Sequence, residues 1–125
     1  MKNIYDDPRK IEVAEIAAMA VLTAFHCPAK VSFKKTITSS GGLGAKNPYI
    51  HFSLSQLDHI HYYGFHEYSR WQHILPDPLP VGDKAIMWLA CHEAAHAINA
   101  YYNNDLCHSK RWGYIYEQCR NMLNL

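Results

Sequence analysis

His92, Glu93 and His96 stand together in "WLACHEAAHAINAYY", an otherwise uncharged and Ala-rich stretch, and a further imidazole, His108, follows just beyond it. Imidazole and carboxylate groups are costly to bury without a partner, so this run needs something that compensates them. Two histidines at i and i+4 project from one face of a helix, one turn apart, and can reach a single ion through their ring nitrogens. Glu93 lies about 100° further round that helix. It is outside ligand reach, yet close enough to touch a water held by the ion. The HExxH motif divides the chemistry in this way. Imidazoles and a third protein ligand fix a Lewis acid, while the carboxylate takes a proton from the water and hands it to a leaving amine.

The bland alternative is that His is simply frequent, since the chain carries 9. A near copy, "HEYSR" from His66 to Arg70, lacks the second histidine. The flanks of the full motif favour the metal reading. Leu89, Ala90, Cys91, Ala94, Ala95, Ala97 and Ile98 are all uncharged, and a dry site strengthens electrostatic assistance. Two residues have the right type and place for the third ligand: His108, after "NND", and Glu117, in the next helical stretch. The longer metzincin pattern is excluded, because it needs a glycine at position 99 and a histidine at 102, where Asn99 and Tyr102 stand.

The elements that must position these residues follow from periodicity. Asp7 and Pro8 make a helix start, an N-cap acceptor followed by a first-turn proline. Ile11, Ala14, Ala18, Val21, Leu22 and Phe25 then recur with a helical period, and Pro28 ends the helix. "KVSFKKTIT" alternates Val31, Phe33 and Ile37 with Ser32, Lys34, Thr36 and Thr38, as a half-buried strand does. "YIHFSLS" reads as a second strand, with Ile50, Phe52 and Leu54 on one face. The Gly-rich piece between them, "SSGGLGAKNP", reads as the connection of an antiparallel hairpin. It is not a phosphate loop, because Ala45 precedes Lys46 and Asn47 follows it. Gln56 to Pro80 reads as largely irregular, with a short helix in its middle and a closing cluster of prolines. A buried helix of about twenty residues then opens at Gly82 and Asp83, capped by Asp83 and ended by Asn103 and Asn104. A last helix, from about Ser109 to Leu123, carries Trp112, Ile115, Tyr116 and Cys119 as its inner stripe. The expected class is α+β: an N-terminal helix, a small antiparallel sheet or hairpin, the HExxH helix and a C-terminal helix.

Composition narrows the function classes. The 125 residues suit one domain with one core, spanning 1–125. A formal net charge of +1 argues against a protein held to nucleic acid by bulk charge. No run approaches the roughly 18 apolar residues of a membrane span, so no membrane partner is expected. Asp6, Asp7, Glu12 and Glu15 break up the first stretch where a signal peptide needs a basic and then an apolar run. Cys27, Cys91, Cys107 and Cys119 form no CxxC pair. Reduced thiols and a cytoplasmic location (a host cytoplasm, for a viral chain) are the simplest expectation. Cys91 is expected to be a small buried side chain rather than a ligand.

"HEAAH…HSKRW" resembles the SprT-like, or Spartan-type, zinc metallopeptidase family, whose HExxH is followed by a third histidine in a His-Gly-x-x-aromatic stretch. His108, Ser109, Lys110, Arg111 and Trp112 match that stretch, with Ser109 in place of the glycine. "NPYIHFSLSQL" is similar to the family's strand entering a short helix. The resemblance, from Val31 to about Cys119, implies a minimal zincin-like fold, one Zn2+ per chain held by His92, His96 and His108, and Glu93 as general base. Ser109 is then suited to cap the last helix. The function it implies is hydrolysis of peptide bonds in a protein or peptide substrate, with DNA as a further candidate partner. The rival reading is a non-catalytic zinc-binding module that binds protein or DNA. Glu93 favours the enzyme, since a structural site has no use for a carboxylate there.

Other residues are read more plainly. His51, His59, His61, His66 and His73 are expected to be solvated or to line a cleft rather than hold a second metal. Tyr62, Tyr63, Phe65, Tyr68, Arg70 and Trp71 are expected to form an aromatic lid on the core. The oxyanion helper would come from this segment. Should Tyr49 to Ser53 form a sheet edge near the metal, it would pair with an extended substrate.

Overall fold

The computed structural model describes residues 7–45, 47–66 and 79–125. Four helices and a three-stranded mixed sheet make an α+β fold. Helix α1 spans Pro8–Ala24, and Asp7 caps it by accepting a hydrogen bond from the Arg9 N–H at 3.0 Å. Its Ala14, Ala17, Ala18, Val21 and Leu22 are buried, and this small-residue face packs on the Ala-rich helix α3.

Strand β1 spans Lys30–Lys34, β2 Ser40–Leu43 and β3 Pro48–Ser53. The sheet order is β1-β3-β2, with β3 parallel to β1 and antiparallel to β2. The expected hairpin between the first and last of these strands is therefore corrected. The Gly-rich piece is itself a strand, and the tight turn lies between β2 and β3, where the Gly44 N–H donates to the Asn47 carbonyl at 2.9 Å. Once β2 takes that side of β3, β1 has only the other side, and residues 35–39 supply the slack for a parallel approach. Val31 pairs with Ile50 and Phe33 with Phe52; Ile50 and Phe52 are fully buried and Phe33 stacks on Phe52. Ile37 lies beyond β1 and is 87% exposed, so the strand is shorter than its alternation suggested.

Leu54 belongs not to the strand but to helix α2, Leu54–Tyr63, which occupies the front of the segment read as irregular. Ser53 makes the change of direction. Its hydroxyl accepts from the Gln56 N–H at 3.0 Å and donates to the Thr36 carbonyl, closing strand and helix with one side chain. Tyr68, Arg70, Trp71, His73, Pro76 and Pro78 lie outside the described residues.

Helix α3, Asp83–Asn103, is the central element, with buried side chains on every face from Ala85 to Ala100. Its cap is Gly82, at φ 67°, rather than Asp83. The Asp83 carboxylate instead accepts from Arg9 Nη2 at 2.6 Å and lies 3.3 Å from His61 Nε2. Asn104, in the left-handed conformation, ends the helix, as "NND" suggested. Helix α4, Lys110–Met122, buries Trp112, Ile115, Tyr116 and Cys119 against α3. Cys91 is fully buried, as expected, and burial holds the Cys119 thiol up at about 12. No described helix is long and apolar enough to cross a membrane.

Candidate metal centre

His92 and His96 stand one turn apart on α3, and His108 stands in the connection that follows. The chain reverses direction between α3 and α4, and this turn brings the third imidazole back over the first two. Their ring nitrogens meet. His96 Nε2 lies 2.9 Å from His108 Nε2, and His108 Nε2 lies 3.4 Å from His92 Nε2. One ligand atom from each of the three falls within 4.8 Å of the others, so these residues could hold a metal ion.

The spacing can be tested against coordination geometry. Imidazole nitrogens bound at about 2.0–2.1 Å to one tetrahedral ion sit about 3.3–3.4 Å apart. The His108–His92 separation falls on that value and the His96–His108 separation is somewhat shorter. Hydrogen bonding among the rings is a poorer account. The Nε2 of a neutral imidazole carries either a proton or a lone pair, so as donor or as acceptor His108 Nε2 could serve only one of its two neighbours well. A cation accepts all three lone pairs at once.

The surroundings keep the rings neutral and in place. His96 is only 8% exposed, and burial, reinforced by the neighbouring imidazoles of His92 and His108, pushes its pKa down to about 3. Its lone pair is thus available at any physiological pH. This has a stability consequence. The unfolded chain takes up a proton on His96 near 6.5, while the folded chain does not until about 3. Stability of the metal-free protein is therefore fully present above about 6.5 and falls as the pH is lowered from there towards 3. Melting curves between pH 7 and 4 should show this decline, and a His96→Gln variant should lose its part of it.

Trp112 forms the floor of the cluster. Its ring stacks on His96 at 5.1 Å and meets His92 and His108 edge-on at 4.9 and 4.6 Å. Tyr116 stacks beneath Trp112, and the Arg120 guanidinium lies over both Tyr116 and Trp88. Phe65 meets His92 edge-on at 6.0 Å. Ser109 caps α4 by accepting from the Trp112 N–H at 3.2 Å, which ties His108 directly to the start of that helix.

Glu93 is 5% exposed in the same helix turn. Its backbone carbonyl has β2 pressed against it. A Cβ placed on Gly41 would lie 2.2 Å from that oxygen, so only glycine permits the contact. The edge strand beside the site is therefore β2. The condition set for Tyr49–Ser53, that it form a sheet edge, is not met, because β2 and β1 flank it.

Of the two candidates for a third ligand, His108 joins the cluster, whereas Glu117 is exposed on α4 and is not among its members. Among the described residues no second group of three ligand side chains converges, so His51, His59, His61 and His66 form no further centre. Of the expected aromatic lid, Phe65 is buried, while Tyr62 and Tyr63 are 78% and 64% exposed. Gly41 and the aromatic stack behind the histidines were not singled out as site residues from sequence. The paired glycines between two apolar strands were the available signal.

Compared with known proteins, the chain matches no family model, no curated protein and no solved structure.

Proposed function

We propose that this protein is a zinc-dependent metallopeptidase of SprT-like type, with His92, His96 and His108 holding one Zn2+ and Glu93 acting as general base. The observation that carries the reading is the meeting of three Nε2 atoms on an HExxH helix whose intervening glutamate is buried. Three neutral nitrogen donors suit zinc, and a set of three protein ligands is that of a catalytic rather than a structural site. When bound, the ion supplies Lewis acidity, polarising a substrate carbonyl and lowering the pKa of a water.

The chain's own groups do the rest. Glu93 takes the proton of the attacking water and delivers it to the leaving nitrogen. Its uncharged surroundings, Ala90, Ala94 and Ala97 all fully buried, keep competing water and charge away from that transfer. Trp112 keeps the imidazole rings from turning. The outer edge of β2, which has no further strand beside it among the described residues, offers backbone N–H and C=O groups along which an extended peptide can lie as a further strand. Free cysteines at positions 27, 91, 107 and 119 agree with a reducing, cytoplasmic setting.

The test is metal analysis followed by cleavage of an unfolded protein substrate. About one zinc per chain is expected, with activity lost to a chelator and restored by added zinc. His108→Ala should cut zinc content severely, while Glu117→Ala should leave it unchanged. The reverse order would overturn the ligand assignment. Zinc uptake without cleavage of any unfolded protein or peptide would support the rival reading, a zinc module that binds protein or DNA.

A further inference from the structure

We propose that Asp105 is the positioning residue of the metal centre, holding the loop so that His108 is presented to His92 and His96 before any ion arrives. The inference rests on the metal reading above and deepens it. His92 and His96 need no such help, because α3 fixes them one turn apart. His108 does, since it lies exposed in the connection between α3 and α4.

Asp105 grips that connection on both sides of His108. One carboxylate oxygen accepts from the Cys107 N–H at 3.0 Å, and the other accepts from the Ser109 hydroxyl at 2.5 Å. Ser109 in turn accepts from the Trp112 N–H, so the grip passes into the first turn of α4 and to the ring on which all three imidazoles rest. The Ser109 hydroxyl, with the Cys107 N–H after it, holds the Asp105 carboxyl below its ordinary range. Asp105 is not among the converging ligand side chains. Its action is on the backbone at 107 and the side chain at 109, the residues either side of the ligand.

Outer partners that bond a ligand directly are worth about 10–100-fold in metal affinity, and the same range is taken here for a residue that holds the ligand's two neighbours. The experiment is a Co2+ titration of the full chain, followed by the visible absorption of the bound ion. Asp105→Ala should bind Co2+ about 10–100-fold more weakly than the wild type, yet reach the same spectrum at saturation, because the ligands are unchanged. His108→Ala should give an altered spectrum. Asp105→Asn keeps an acceptor for the Cys107 N–H and should recover most of the affinity. Arg9→Ala, which removes an ion pair at the far end of α3, should bind as the wild type does.

If Asp105→Ala does not fold, Ser109→Ala carries the test, and an affinity reduced several-fold supports the role. Wild-type affinity in either folded variant overturns the role of Asp105 while leaving the metal reading intact. Failure of the wild-type chain to take up Co2+ overturns the metal reading, and the role with it. An altered saturated spectrum in Asp105→Ala also overturns the role, since the residue would then shape the ligand set itself.

Discussion

Replacing Glu93 by Gln is expected to lower kcat/KM for peptide cleavage by about 10²–10⁴-fold, at unchanged zinc content. Gln has the size and shape of Glu and can still accept a hydrogen bond, but at neutral pH it cannot take a proton from the attacking water. The ligand imidazoles are on other residues, so metal binding is untouched. The side chain is only 5% exposed and the neighbouring alanines offer no substitute base. Nothing else in that helix turn can assume the role. Folding is not expected to suffer, because a neutral amide costs less to bury than a carboxylate. Zinc analysis and steady-state kinetics on the same preparation check this. Undiminished turnover in the zinc-loaded variant would remove Glu93 from the mechanism.

Gly41→Ala is expected to have the largest structural effect of any single-methyl addition. The new Cβ would stand 2.2 Å from the Glu93 carbonyl oxygen and 3.0 Å from its carbonyl carbon. Both are backbone atoms of the best-buried helix, so neither can swing aside. Either β2 lifts from α3, or α3 shifts at the residue between the metal ligands. Overpacking of a tight contact costs typically about 1–3 kcal/mol, and a backbone-to-backbone clash belongs at or above the top of that range. Denaturant unfolding of wild type and variant measures it. Zinc affinity should fall with it, since the displaced backbone carries His92 and His96 on either side. Gly42→Ala is the matched control. Its Cβ would meet the Tyr49 hydroxyl at 3.4 Å and Leu106 at 3.7 Å, side-chain atoms that can give way.

The metal helix was legible because its signals are local. A four-residue spacing, uncharged flanks and an asparagine pair at the end fix the helix, its burial and the direction of its two histidines. Helix α1 and the inner stripe of α4 were readable for the same reason. The sheet was not. Strand alternation identified Val31, Phe33, Ile50 and Phe52, but alternation is silent on which strands are neighbours. β2 has two glycines in four residues, so it lacks the β-branched and aromatic residues that mark a strand. It is a strand because α3 comes too close for any side chain, a long-range fact with no local trace. The cap of α3 failed similarly. Asp83 has the right type for capping, but the distant Arg9 competes for its carboxylate. Between His108 and Glu117, residue type and distance along the chain left the choice open. The fold brings His108, and not Glu117, to the other two imidazoles.

The sheet order also bears on how the chain is made. The two outer strands are synthesised first, and the one that joins them comes last, at residues 48–53. Until that piece emerges from the ribosome, neither outer strand has a hydrogen-bonding neighbour, and both must wait as open chain. The middle strand serves two ladders, the local hairpin with β2 and the non-local parallel pairing with β1, which carries the larger loop-closure cost. Nascent fragments that stop before residue 48 are therefore expected to hold α1 at most, with protease-sensitive chain behind it.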